Sequence, residues 1–360
     1  MTYPIEFQNV TFSYADSDEQ AIKNINLKIE PGEIVFITGP AGSGKTTLCS
    51  CINGLIPHYH EGELSGTVMV GPYNTQKARV GGLASLVGMV FQDPESQLVT
   101  NSVLDEVAFG PENLGVSREE INLRIQAALE ATRLSGYEQR EPHNLSGGEQ
   151  QACVIAATYA MHPEIYVMDE PLANLDPAGR AYILNLVVQV ARQRGKTLVI
   201  VEHALEETLP LVERIIVMEK GEIVRDGPTQ EILSQGDIPH VLKRPDILRL
   251  AESFQLGELT LTPAQFNQSL RRKYSLNALP MMPFLNGHHH QGEAVVEFKN
   301  VSFSYTGEKE ALHDVSLSIK SGELVAILGR NGSGKTTLVR HVIGLQQPTS
   351  GQVVVTGKDV

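Results

Sequence analysis

The sequence predicts an α/β protein built round a mostly parallel sheet, present once in full and a second time in part. Three observations predict it. Apolar runs of strand length alternate with stretches of helix length, a glycine-rich loop follows one of those runs, and a ten-residue stretch near the start returns near the end. Val10, Phe12 and Tyr14, then Ile25, Leu27 and Ile29, alternate with polar residues and predict strands bounded by polar turns. Residues 34–38 are an apolar strand of the kind covered on both faces, and a helix is expected to start after Gly44. Farther on, helices are expected over 121–134 and 179–194, and strands over 165–168, 197–201 and 215–218. Such alternation predicts parallel pairing. Residues 229–292 carry Pro239, Pro245, Pro263, Pro280 and Pro283, which predicts a small extension and a linker and excludes a long coiled coil.

Residues 5–14 return as 296–305 at an offset of 291, and residues 31–48 return as 321–338 at an offset of 290. One extra residue in a polar turn is what a duplicated domain tolerates. The second copy reaches Val360 only 25 residues after Lys335, so it is expected to be an N-terminal part of the repeat. The expected domains are a complete copy over 1–228, an extension and linker over 229–292, and the partial copy over 293–360.

The 360 residues are 41% hydrophobic and 20% charged, the composition of a globular protein. The net charge is −13, and residues 1–228 hold 30 acidic against 16 basic residues, which argues against broad electrostatic binding of nucleic acid. Cys49, Cys51 and Cys153 contain no CxxC pair, so neither a disulfide framework nor a zinc site is indicated and a reducing compartment fits. No secretory leader is visible, and no apolar run reaches the roughly 18 residues of a membrane span, so any membrane role is expected to come through a partner.

Gly39-Pro40-Ala41-Gly42-Ser43-Gly44-Lys45-Thr46 has the glycine spacing of a phosphate-binding loop between a buried strand and a helix. There, backbone N–H groups surround phosphate oxygens, Lys45 reaches the terminal phosphates and Thr46 offers its hydroxyl to Mg²⁺. The pattern returns at Gly329-Arg330-Asn331-Gly332-Ser333-Gly334-Lys335-Thr336, and Thr47 and Thr337 follow in the two copies. Residues 165–170 are an apolar strand ending in two carboxylates. Asp169 is placed to hold the Mg²⁺ shell, and Glu170 to orient and deprotonate an attacking water. The competing reading is a solvated acidic turn before Pro171.

His203, after the strand at 197–201, is either a γ-phosphate contact or a structural histidine. Ser146, Gly147 and Gly148 precede an apolar helix and arrange backbone donors for an anion, as many helix starts do. Tyr14 is either an aromatic face for adenine or a core-edge ring, with Tyr305 its counterpart in the second copy. Gln92 is either an amide ligand for Mg²⁺ or a solvated loop residue.

The ordered set Tyr14, Gly39 to Thr47, Gln92, Leu145 to Glu149, Asp169-Glu170, Asn174-Leu175-Asp176 and His203 resembles the ATP-binding cassette ATPases. The resemblance spans residues 3–228 in full and 294–360 as an N-terminal part. Residues 53–58 and 90–97, continuing to 105–114, resemble the ATPase subunits of energy-coupling factor importers, which take up vitamins and transition-metal ions.

This resemblance implies a P-loop cassette with an antiparallel β subdomain and a helical subdomain, and ATP and Mg²⁺ as cofactors. It makes Tyr14 the adenine-stacking residue, Glu170 the general base and His203 the γ-phosphate switch. Ser146, Gly147 and Gly148 become the element that closes a neighbouring cassette's site. It further implies a membrane-spanning coupling protein and a substrate-binding membrane protein as partners, a second cassette, and a place on the cytoplasmic face of the cell membrane. Three residues depart from the family pattern: Glu149 replaces Gln, Gln150 stands where a basic residue is frequent, and Ala152 where Arg is common.

A cassette ATPase acting on nucleic acid or ribosomes would need a coiled-coil insertion or a basic arm. Only 53 residues separate Gln92 from Ser146, and residues 229–292 are nearly neutral, so transport is favoured. A non-hydrolysing module is disfavoured by Glu170 and His203. His288, His289 and His290 read as a solvated linker tract, and the cysteines as packing residues.

Overall fold

The computed structural model of the chain describes residues 3–173, 175–203, 205–234, 245–274, 292–305, 310–329 and 332–360. The chain forms two compact units, 1–277 and 278–360. In order, the strands of the first unit are β1 (Ile5–Tyr14), β2 (Gln20–Ile29), β3 (Ile34–Thr38), β4 (Gly62–Val70), β5 (Tyr73–Asn74), β6 (Val87–Val90), β7 (Ile165–Asp169), β8 (Thr197–Val201), β9 (Arg214–Glu219) and β10 (Glu222–Pro228). They build two sheets. One is antiparallel, in the order β2-β1-β4-β5; the other runs β10-β9-β3-β8-β7-β6 and is parallel except for β10.

Period-two alternation divides the parallel strands between two cores. Val35, Ile37, Ile165, Val167, Val199 and Val201 face the antiparallel sheet and the helix α1 (Lys45–Ile52). Phe36, Tyr166, Met168, Leu198 and Ile200 face the opposite core, which the longer helices cover. All five residues of β3 are buried, as its unbroken apolar run requires. Cys49 and Cys51 lie fully buried in α1, and burial pushes both thiols up, that of Cys51 to about 12.

A helical layer holds α2 (Val103–Asn113), α3 (Arg118–Ala131) and α4 (Gly147–Ala160), followed by α5 (Pro177–Arg194). Two helices start earlier than apolar periodicity suggests, because their caps precede the apolar stripe. Ser117 accepts from Glu120 N–H at the start of α3, and Asp176 accepts from Gly179 N–H ahead of Pro177 in α5. α3 also ends sooner, where Arg133 takes φ +57°. Gln150 and Ala152 are both buried in α4, so these two departures from the family pattern are part of the packing.

In the extension, α6 (Asp246–Ser253) and α7 (Pro263–Tyr274) belong to the first unit. Leu248 joins its main core, and Asp246 N–H donates to Glu206. His288, His289 and His290 lie outside the described residues. Among the described residues no helix is long and apolar enough to cross a membrane.

The second unit repeats the antiparallel sheet with β11 (Ala294–Ser304), β12 (Glu310–Lys320), β13 (Ser350–Val355) and β14 (Lys358–Asp359), in the order β12-β11-β13-β14, and repeats α1 as α8 (Lys335–Val342). The register matches: Val355 stands opposite Val296 as Val70 stands opposite Ile5. One feature of the repeat is not reproduced. Residues 324–328, the copy of β3, are not a strand; Leu324 is 101% and Leu328 88% exposed. β3 pairs with β8 and β9, and among the described residues 324–328 have no such ladder partners. An apolar run without ladder partners stays unpaired.

Candidate active site

The parallel register sets the carboxyl ends of four strands along one edge. Ile37 lies opposite Val201, Val201 opposite Asp169, and Met168 opposite Val90. The next residues along each strand are therefore the glycine loop after β3, His203 after β8, Glu170 after β7 and Gln92 after β6. Ligands of α/β sheets bind outside this edge.

The loop's shape depends on glycine. Gly39 has φ +153°, and a Cβ there would lie 2.1 Å from the Met218 carbonyl oxygen; Gly44 has φ +96°, and its Cβ would lie 2.4 Å from that of Ala21. Gly44 caps α1 without a side chain and the first turn holds no acid, so the helix N-terminus is open to an anion. Ser43 Oγ is buried and has no partner among the described residues. Pro40, Ala41 and Gly42 form the exposed rim. Lys45 Nζ donates to the carbonyls of Gly39 at 3.1 Å and Pro40 at 2.9 Å. Burial lowers its pKa, and Glu170 and Asp169 oppose that shift.

Asp169 is 3% exposed. Its burial raises the carboxyl's pKa against a hydrogen bond donated by Thr46, and Oδ1 has no partner among the described residues. Glu170 leaves β7 with φ +50°, a conformation costing about 1–3 kcal/mol for a non-glycine residue. Its side chain meets His203, whose Nε2 lies 3.0 Å from Glu170 Oε1. Glu202, which motif reading passes over, is 5% exposed and accepts the N–H groups of Leu172 and His203. The signal for it is an acid at the end of an otherwise apolar strand.

Tyr14 reaches the site through its hydroxyl, 3.1 Å from Thr47 Oγ1, and its ring meets Phe12 and His60 edge-on. Gln92 is exposed beyond β6, in a loop held by Gln97, which accepts Phe91 N–H and donates to Met89.

Ser146 is not brought to this edge. It caps α4, donating its N–H and Oγ–H to Glu149 at 2.8 and 2.7 Å, while Tyr137 donates to the other carboxylate oxygen. Burial pushes the Glu149 carboxyl up, but these hydrogen bonds outweigh it and hold the pKa low. Ser146 and Gly147 are exposed, Gly148 is half-buried, and all three present the N-terminus of α4 outward.

The second unit repeats the loop contacts, with Lys335 Nζ donating to Gly329 at 2.8 Å and Tyr305 hydrogen-bonding Thr337 Oγ1 at 3.1 Å. Gly332, Ser333 and Gly334 lead into α8 as their counterparts lead into α1, and Thr336 lies in its first turn. Asn331 and Asn174 lie outside the described residues.

The family described as ABC transporter matches residues 22–173 and 312–360. A curated protein of Caldanaerobacter subterraneus subsp. tengcongensis, by name an ABC transporter ATP-binding protein, is 38% identical over 98% of this chain and 64% of its own length. The chain thus spans just under two thirds of that relative. Among solved structures, Clostridium perfringens cbiO1, titled as part of the ABC transporter complex cbiONQ, is 28% identical with a TM-score of 0.60, covering 71% of this chain and 96% of its own. A dimeric ATP-binding cassette in a post-hydrolysis state with ADP and Pi is 30% identical with a TM-score of 0.55, covering 62% of this chain and 98% of its own. The fold matches those of solved ABC cassettes, and the chain belongs to the ABC transporter family of ATP-binding cassettes.

Proposed function

We propose that residues 1–228 are a complete ATP-hydrolysing cassette that powers an importer of the energy-coupling factor type, with 229–292 an extension and linker and 293–360 the beginning of a second cassette. The observation that carries the reading is the single edge joining the glycine loop, Asp169 and the Glu170–His203 pair. Lys45 exchanges the loop carbonyls for the terminal phosphates, a stronger charge-assisted bond. Glu170 takes the proton of the attacking water, and His203 Nε2 passes between that carboxylate and the γ-phosphate. Tyr14 stacks on adenine. The residues fit Mg²⁺: the buried, unpartnered Oδ1 of Asp169 and the exposed Thr46 are oxygen donors of the right chemistry, with Gln92 on the adjoining strand end. When bound, the ion would offset phosphate charge.

For transport, the likeness to cbiO1 of cbiONQ supports a membrane-protein partner docked on the helical layer, at the cytoplasmic face of the cell membrane. Sequence alone offers the stretch 92–115, with Pro94, Leu98, Val99, Val103, Leu104 and Phe109, either as the docking surface or as filling of the helical layer's own core. Leu98 and Val103 are core residues, whereas Val99 is 64% and Phe109 50% exposed, and Leu104 lines a groove of about 200 Å³ with Ile125 and Leu129. The native cysteines are buried, so an introduced surface thiol is labelled selectively. Val99→Cys and Phe109→Cys are expected to crosslink to an integral membrane protein in native membranes, and Lys28→Cys, on the antiparallel sheet, is not. Crosslinking at Lys28→Cys alone would contradict this docking.

A further inference from the structure

Glu202 is a buried carboxylate with no part in the steps above. It follows β8, all of whose five residues are buried, at a place where an apolar side chain would avoid the cost of burying charge. Its two oxygens serve different segments. Oε1 accepts the N–H of Leu172 at 2.7 Å, and Oε2 accepts the N–H of His203 at 3.0 Å. Leu172 is two residues beyond Glu170, on the strained turn that leaves β7. One carboxylate therefore ties the backbone behind Glu170 to the backbone of His203, the same two residues whose side chains meet at 3.0 Å.

We infer that Glu202 is a positioning residue that fixes Glu170 against His203 by bridging the ends of β7 and β8. The inference rests on the roles proposed above for Glu170 and His203. Only an acceptor at both oxygens completes the bridge, because both of these partners are N–H donors. A glutamine has the same shape but turns an NH₂ group towards one of them.

The test compares Glu202→Gln and Glu170→Gln with the unaltered chain in steady-state phosphate release and in ATP affinity by calorimetry. A reacting group displaced by about 1 Å loses about 10²-fold in rate. Glu202→Gln is therefore expected to lower kcat by at least about tenfold with KM and ATP affinity within about twofold, since Lys45 is held by the loop carbonyls of Gly39 and Pro40. A wild-type kcat for Glu202→Gln beside an inactive Glu170→Gln would overturn the bridge and leave the base role standing. Full activity in both variants would instead remove the base role itself. If Glu202→Gln lost ATP affinity and thermal stability together, Glu202 would be a general structural residue and the inference would fail.

Discussion

Glu170→Gln is expected to bind ATP as tightly as the unaltered chain and to hydrolyse it about 10²–10⁴-fold more slowly, the range contributed by a positioned general base. The amide keeps the side chain's shape, so it still holds water and still meets His203, but it cannot take a proton. Binding is spared because Lys45 is held by the loop carbonyls of Gly39 and Pro40, and among the described residues no hydrogen bond joins it to Glu170. Single-turnover phosphate release beside calorimetric affinity separates the two effects. A rate within a few-fold of the unaltered chain would take Glu170 out of the base role.

Two inactive variants, Ser146→Arg and Glu170→Gln, are expected to restore activity when mixed. Ser146 makes local hydrogen bonds at the start of α4 and is exposed, so its outward N–H groups are available to a nucleotide on another cassette. In a symmetric pair each site would join one chain's Glu170 to the other chain's Ser146. A mixed pair then holds one site with both groups intact. Random mixing gives about a quarter of the unaltered activity, since half the pairs are mixed and each has one working site. The recovered rate should rise with protein concentration as pairs form. No recovery at any ratio would place the complete site within one chain.

The residues that make this edge differ in how openly the sequence declares them. β3 and the glycine loop are legible because an unbroken apolar run and positive-φ glycines each have few alternatives. Asp169 and Glu170 are legible because two acids at the end of a buried strand demand a reason. Glu202 is hidden by its setting: one acid after an apolar run reads as the strand's solvent end, and only the fold shows it buried between two N–H groups.

Composition likewise cannot separate Leu98 and Val103 from Val99 and Phe109, since which of them faces the core is decided by the path of the loop and the turn of α2. In the second unit, residues 324–328 carry the apolar pattern of β3, yet pairing is a property of the neighbours, and no described strand pairs with them. Local pattern specified α1 and α8 alike; tertiary partners decided which of the two apolar runs became a strand.

The most direct measurement is a calorimetric titration of Mg-ATP into the chain and into its Lys45→Ala and Lys45→Ala/Lys335→Ala variants. Removing a charge-assisted contact costs about 1.5–3 kcal/mol, more than tenfold in affinity at each loop. The account predicts saturable binding to the unaltered chain, loss of the first unit's site in Lys45→Ala, and weakened binding throughout in the double variant. Equal affinity and equal stoichiometry in all three would contradict it.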